Sequence, residues 1–453
     1  MKWEIEPAMP VRLVLKRLEA AGYEAYLAGE CVRDCLLGRS PEIWEIAASA
    51  GPSETAALFA DSGLGRLTVS AQDGTVGLEH EGVCCEIVAL GGEASGGDEF
   101  VQSLETELGL RHFTVNAMAY SLRRGLLDPF MGREDLRRRR LRCVGDPYRC
   151  FEENGLEILR SVRSAVLLGS QLDEEALRAA EHHRDKLEAL PADNVRDELW
   201  KMFSGKAGDL VNQIRSAQFV FMTILPELKP MVGFEQNNLY HSFDVWQHTL
   251  AALAAADSDE IVRFSVLLHD IGKPYCYTED EGGTGHFYGH SAVSAEIADR
   301  VMRRLKFDAV SRKHITELVK YHDVSIQKTH RSLRRWLNRL GREQLQRLLE
   351  VRKCDIYGQN PQLIQKRIDE IGRLEMILSE ILAEEKVFQV RELAVSGADL
   401  IQIGYAPGRN LGETLKKLAG QVADGHVANE RNALLEAAGR LNRSRELKGE
   451  KTE

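Results

Sequence analysis

No run in this chain approaches the roughly 20 consecutive apolar residues needed to span a bilayer. The opening MKWEIEPAMPVRLVLKRLEA has neither the apolar core nor the small-residue cleavage site of a secretion signal. Both absences point to a cytoplasmic protein. Cysteine occurs eight times but never as CxxC, and the neighbours Cys84 and Cys85 do not readily pair with each other. Neither a zinc–thiolate site nor a disulfide framework is therefore expected, and the thiols read as buried apolar residues. Surplus positive charge is missing too. A net charge of −10 excludes a protein that coats nucleic acid with its whole surface, because phosphate neutralisation needs clustered cations. No internal repeat of about 20–50 residues is visible.

What is present is ordinary in bulk: 453 residues, 43% hydrophobic and 28% charged, suited to about three soluble domains of roughly 100–200 residues each. Two local basic clusters stand against the acidic total. One is Arg133, Arg137, Arg138, Arg139, Arg140 and Arg142; the other is His330, Arg331, Arg334, Arg335, Arg339 and Arg342. Each is either a nucleic-acid contact or a solvated helix face. An amphipathic helix from about Val11 to Ala21, a strand at Tyr26–Ala28, a helix opening near Cys31 and the antiparallel strands TVGLEHEG and VCCEIVAL predict an α/β head. Gly91–Asp98 reads as a loop. From Asp146 onward helical periodicity dominates, interrupted by the acidic, glycine-rich loop Glu281–Phe287, and RLNRSRELKGEKTE reads as a frayed end.

From Tyr26 the chain reads YLAGECVRDCLLGRSPEIWEIAASA, followed by LRHFTVNAMAY, Asp128-Pro129-Phe130 and Gly145-Asp146-Pro147. These segments resemble the class II tRNA nucleotidyltransferases and poly(A) polymerases, the CCA-adding family, and the resemblance extends over nearly the whole chain. It implies a nucleotide site at Gly29, Arg33, Asp34, Glu45, Glu86, Arg111, Asn116, Asn154, Glu157 and Arg160. The departures are chemical. The family's Asp-x-Asp is here Ile43 and Glu45, a phosphate-turn glycine is Glu30, and a flanking acid is His112. An arginine ahead of Phe151 is Cys150, and the aspartate and arginine that read the incoming base are Asn154 and Glu157. A two-metal displacement needs bridging oxygen ligands. Ile43 offers none, so the Mg²⁺ site is put in question and transfer is expected to be at background.

The second half carries NLYHSFDVWQHTL, VRFSVLLHDIGKP, HFYGHSAVSAEIA, ITELVKYHDVS and LLEVRKCDIYGQNP. In that order these resemble the elements of an HD-domain metal phosphohydrolase. The resemblance implies His248, His269, Asp270 and Asp355 as ligands of a divalent ion (Mn, Ni, Fe or Mg), with His290 and His322 completing a second site. Asp270 would bridge the ions and Lys273 would meet a phosphate oxygen, making these two the catalytic residues. His241 and His286 are either neighbours of the ligands or surface residues. The tail LAVSGADLIQIGYAPGRNLGETLKKLAGQVADGHVANERNALL resembles the family's tRNA-holding body, with Lys416 and Lys417 as phosphate contacts.

The resulting expectation is an α+β chain with a polymerase-β-like head over residues 1–145 and an all-α remainder. That remainder divides into a helical neck over 146–232, an HD domain over 233–360 and a tRNA-binding body and tail over 361–453. Its activity is expected to be metal-dependent hydrolysis of phosphate esters at RNA 3′ ends or on nucleotides. One alternative is an active tRNA nucleotidyltransferase adding CCA; another is a non-catalytic RNA-binding regulator. Expected partners are tRNA or another RNA 3′ end and nucleotides, with no membrane.

Overall fold

The computed structural model describes residues 5–60, 65–70, 74–90, 97–238, 243–257, 259–385, 393–423 and 426–446. Short runs rich in β-branched and aromatic residues make the head a sheet. Its strands are β1 (Ala25–Ala28), β2 (Ile43–Ala48), β3 (Arg66–Val69), β4 (Thr75–His80), β5 (Val83–Ala89), β6 (Ala119–Ser121) and β7 (Gly125–Leu127), in the order β3-β4-β5-β2-β1-β6-β7. All neighbours are antiparallel except β2 and β5, which run parallel.

Register decides what each face carries, since directly opposed residues share a face. Leu27, Ile46, Ile87 and Val76 form one continuous row across β1, β2, β5 and β4, and all four are buried. On the other face Tyr26 and Ala47 pack with Phe100, Leu104 and Leu108 of the helix Asp98–Leu108. Two residues back along β2 on that second face stands Glu45, paired in register with Glu86 of β5. The core thus covers one end of the face and leaves its two carboxylates at the other.

The contact pattern divides the chain into two compact units. The first holds residues 1–232, 253–263 and 299–312, and after the head it is helical apart from the short strand Gln171–Leu172, which pairs parallel with Arg140–Leu141. Its helix Pro147–Glu153 starts as helices prefer to, with Pro147 in the first turn and the Asp146 side chain accepting the Tyr148 N–H. The basic cluster at 133–142 is largely consumed internally. Arg140 and Arg142 ion-pair with the fully buried Asp135, and Arg137 and Arg138 pair with Glu134.

The second unit, residues 233–252, 264–298 and 313–453, is among its described residues helical but for one small hairpin. That hairpin refines the expected loop at Glu281–Phe287: Thr278–Glu279 pairs antiparallel with Gly285–His286, and the Asp280 carboxylate accepts the N–H groups of Gly282 and Thr284. Asp98, expected in a loop, opens a helix instead, while residues 91–96 lie outside the described residues. The expected frayed end is ordered as far as Glu446 in the helix Arg431–Glu446. The tail packs around Leu400, Tyr405, Leu418 and Leu434, and a capping box of Ser396 and Asp399 starts the helix Gly397–Gln402. The fold class is α+β, as the alternation of strand and helix signals indicated.

Candidate functional site

In the head and neck a cleft of about 1010 Å³ is lined by Glu45, Glu86, Arg111, Asn116, Glu157 and Arg160 among others. Every residue expected in the nucleotide site except Asn154 and Gly29 borders it, and those two touch bordering residues. Glu45 accepts hydrogen bonds from both terminal nitrogens of Arg111. Burial works against the Arg111 charge, but Glu45, Glu107 and Glu30 outweigh it and raise its pKa. Gly29 leaves β1 at φ +76°, where a Cβ would stand 3.1 Å from Glu45 Oε2, so the turn needs glycine for both backbone and space. Arg33 is held by Asp34 and donates to Asn116 Oδ1 at 2.9 Å, and Asn116 in turn donates to Glu30 Oε1 at 3.3 Å. Ile43 is 50% exposed. It supplies no oxygen to the site.

The neck wall centres on Glu157, whose side chain is buried although the residue lines the cleft. Its Oε1 accepts from Arg160 Nη1 at 2.6 Å and from Asn154 Nδ2 at 3.3 Å, while Oε2 has no hydrogen-bond partner and lies 3.5 Å from His112 Nδ1. Sequence reading missed Arg163, Glu198 and Lys201, which also line this wall. Arg163 had a signal, since it follows Arg160 by three and shares its helix face. Glu198 arrives from another helix to pair with Arg163 at 3.1 Å, and nothing local in the chain announces it.

The second unit gathers all six expected metal ligands. His248, His269, Asp270 and Asp355 form one group that could hold an ion, and Asp270, His290 and His322 form another. Each of the four imidazoles directs Nδ1 at a backbone carbonyl: His248 at Gly358, His269 at Val266, His290 at Phe287 and His322 at Val319, at 2.7–2.9 Å. An Nδ1–H donating outward fixes the tautomer and turns the Nε2 lone pair inward. The Nε2 atoms of His248 and His269 lie 3.2 and 3.1 Å from Asp270 Oδ2, and that of His290 lies 3.4 Å from Oδ1. Burial opposes charge on Asp270, yet His269 and Lys273 drive its pKa well below the usual carboxylate range. Neither Asp270 oxygen has a well-aligned hydrogen bond, which suits a group that spans two cations.

Lys273 is placed differently from the expectation. It is buried, its ammonium 2.7 Å from Asp270 and donating to Gln236 Oε1 at 2.8 Å, so it is committed within the cluster. His286 sits in the hairpin against Asp280 and Tyr288, and His241 lies outside the described residues.

Residues 25–142 match the poly A polymerase head domain, and residues 287–438 match a family described as tRNA nucleotidyltransferase domain 2, putative. The A-adding tRNA nucleotidyltransferase of Deinococcus radiodurans is 32% identical over 347 residues, covering 73% of this chain and 78% of the relative. The CCA-adding enzyme of Lactobacillus delbrueckii subsp. bulgaricus is 28% identical over 436 residues, covering 95% and 96%. Among solved structures, the Bacillus stearothermophilus CCA-adding enzyme in complex with CTP has a TM-score of 0.64 at 22% identity, over 98% of this chain and 100% of that one. The fold is a polymerase-β-like sheet head followed by helices, as in solved CCA-adding enzymes. This chain belongs to the class II tRNA nucleotidyltransferase family.

That membership corrects the expected activity. A chain acting mainly as a phosphohydrolase behind a defunct head is overturned by relatives whose names state nucleotide addition across most of both lengths. The segment holding His290, His322 and Asp355 itself matches a tRNA nucleotidyltransferase domain. Among the described residues no helix is long and apolar enough to cross a membrane.

Proposed function

We propose that this chain is a tRNA nucleotidyltransferase, transferring nucleotides to the 3′ end of tRNA in the reaction class of the CCA-adding family. The observation that carries this reading is the placement of Glu45 and Glu86, opposed in register on one face, in a cleft whose walls bear Arg33, Arg111, Arg160, Arg163 and Lys201. In the reaction the tRNA 3′ oxygen bonds to the α-phosphorus of a nucleoside triphosphate. The bond from that phosphorus to the bridging oxygen breaks, pyrophosphate leaves, and the hydroxyl proton passes to solvent. The arginines bind the triphosphate, whose charge they offset. Arg111 has a second role: its pair with Glu45 sets the carboxylate toward the cleft.

Mg²⁺ is the ion that the family implies, and it commonly takes only one or two carboxylates plus substrate phosphates. Glu45 and Glu86 fit one such ion arriving with the nucleotide, whereas Ile43 removes an oxygen that a two-ion frame would use. When bound, the ion supplies charge neutralisation on the phosphate oxygens.

The six-residue cluster of the second unit is read as a separate divalent-metal centre, supported by the inward convergence of imidazole and carboxylate donors. The division at residues 145, 232 and 360 is kept as the domain scheme. In it the tail holds tRNA, and the exposed Lys416 and Lys417 are its phosphate contacts. The test is incubation of the full chain with Mg²⁺, each of the four labelled nucleoside triphosphates, and tRNA ending before CCA or after its first two residues. Label is expected on tRNA and is expected to vanish with Glu45→Gln. No label from any triphosphate, on either tRNA, would overturn the reading.

A further inference from the structure

The arginines at 133–142 do not all share one fate. Arg137 and Arg138 pair with Glu134, and Arg140 and Arg142 with Asp135, whereas Arg139 makes no ion pair among the described residues. Its backbone is left-handed, at φ +51°, a conformation that a residue with a Cβ adopts at a cost. The Gln171 N–H donates to its carbonyl at 2.8 Å and helps to hold that turn. The strained residue borders a cavity of about 230 Å³, which Arg39, Lys206, Asp209, Leu136 and Leu168 also line. A water takes about 30 Å³, so a phosphate group has room there.

Three cations reach this cavity from distant parts of the first unit. Arg39 follows the helix Glu30–Leu36, Arg139 follows the helix Gly132–Arg137, and Lys206 directly precedes the helix Ala207–Ser216. None of the three has a carboxylate within ion-pairing distance among the described residues; Arg39 makes only a 3.4 Å hydrogen bond to the Leu167 carbonyl. The acid on the wall is Asp209, which stands against Gly169: a Cβ on that glycine would lie 3.2 Å from Asp209 Oδ2. Three cations against one carboxylate leave a surplus of two positive charges. Exposed cations are ordinary when scattered, but gathered like charges repel one another, and an anion bound among them relieves that repulsion. Guanidinium forks and an ammonium suit a phosphate.

The cavity adjoins the head cleft, with Arg39, Leu167 and Leu168 lining both. The helix Leu156–Leu168 runs along the cleft from Glu157 to Leu168, about 16 Å at 1.5 Å per residue, and the cavity lies at its far end. The cleft has its own arginines for the triphosphate, so an anion held past the end of that wall belongs to the longer substrate. We propose that the cavity is a second phosphate site, holding a backbone phosphate of the RNA strand that enters the cleft, with Arg139 and Lys206 as its ligands. The proposal rests on the cleft being the nucleotide site of the transferase, and it adds an RNA contact in the first unit.

The experiment is equilibrium binding of tRNA ending before CCA to the full-length protein over a range of salt, with extension kinetics and pyrophosphate inhibition measured in parallel. Arg139→Gly and Lys206→Gln are each expected to weaken tRNA binding on the order of fivefold. Each should lower the slope of log affinity against log salt by about 0.7–1 and raise the KM for tRNA more than that for the triphosphate. Glycine relaxes a left-handed backbone, so Arg139→Gly is expected to keep or raise the melting temperature. Arg139→Lys retains the charge and is expected to retain the salt slope. Unchanged tRNA affinity and slope in both neutralised variants would overturn the proposal and leave the transferase standing. Weaker pyrophosphate inhibition with tRNA binding unchanged would overturn it too, by giving the cavity to the free anion. Affinity lost only together with a fallen melting temperature would make these residues structural and equally overturn it. Weakened binding in the variants, with no extension of tRNA by the unaltered protein, would defeat the reaction and keep the phosphate site. No tRNA binding by the unaltered protein would defeat both.

Discussion

The head cleft and the second-unit cluster each set a pair of carboxylates at their centre, Glu45 with Glu86 and Asp270 with Asp355, but arrange them in opposite ways. In the head, Glu45 is bound to a guanidinium, Glu86 is exposed, and the space between the walls is wide enough for a nucleotide. In the second unit four imidazoles and two carboxylates form two groups sharing Asp270, each with its donor atoms within 4.8 Å of one another and most of them almost wholly buried. A dense, dry ligand set is what a held ion requires; an open cleft with paired charges is what a large, anionic, two-substrate reaction requires. The comparison teaches that completeness of a ligand set says an ion fits, not which reaction the chain performs.

The sharpest way to break this comparison is to separate the two sites by mutation. Glu45→Gln or Glu86→Gln should reduce nucleotide transfer by on the order of 10³-fold, while His322→Ala should leave transfer within a few-fold and lower the metal content measured on the purified protein. Loss of transfer on changing His322 alone, with the fold intact by circular dichroism, would mean that the second centre takes part in the reaction.

The next effect is on stability. Asp270→Ala would leave the buried Lys273 ammonium facing imidazoles and a single amide oxygen, and removing one member of a buried charge cluster costs about 3–5 kcal/mol. Urea denaturation of the second unit would show it as a fall in midpoint at constant slope. A change under about 1 kcal/mol would mean that the cluster reorganises freely. The equivalent experiment in the first unit, Asp135→Ala, should cost less, about 2 kcal/mol, because its partners Arg140 and Arg142 are 36% exposed and can rehydrate.

Much of this contrast was legible in the chain, and the part that was not has physical causes. The short apolar runs at Tyr26 and Val83 announce strands, whereas the strand at Ile43–Ala48 carries no such expectation, and the order of the histidine and aspartate motifs marks all six ligand positions from His248 to Asp355. The Arg111–Glu45 pair, the arrival of Glu198 and the absorption of the 133–142 arginines by Asp135 and Glu134 were not visible. Each depends on where a distant partner lies, and side-chain identity carries no such information. A complete set of His and Asp ligands favours hydrolysis only while it is taken alone, because ligand letters carry no information about which reaction the rest of the chain supports. Ile43 and Glu30 look like losses in the sequence because the facing of Glu45 and Glu86 depends on β2 pairing parallel with β5, which local residue types do not reveal.

The smallest expected effect is at the tail. Hydrogen bonds from the Ser396 hydroxyl and backbone, with Arg431 nearby, hold the Asp399 pKa down to about 2. A carboxylate depressed in the folded state contributes stability above its unfolded pKa and loses it as pH falls through the folded value. The helix Gly397–Gln402 should therefore loosen between about pH 4 and pH 2, read as faster amide exchange there than in the helix Ile364–Glu385. Asp399→Asn should remove that pH dependence, and an unchanged acid response in the variant would show that another group controls it.

Gly358, whose carbonyl fixes the tautomer of His248, has a mechanical consequence as well. A methyl group at this position would stand 2.7 Å from the His248 carbonyl oxygen and 2.8 Å from its Nδ1. Bare backbone here is a bearing surface between two helices, one carrying His248 and the other, two residues before its end, carrying Asp355. Alanine at 358 would act as a wedge, spreading a histidine from an aspartate while leaving both side chains unaltered. The gap between those two ligands is set by a residue with no side chain at all.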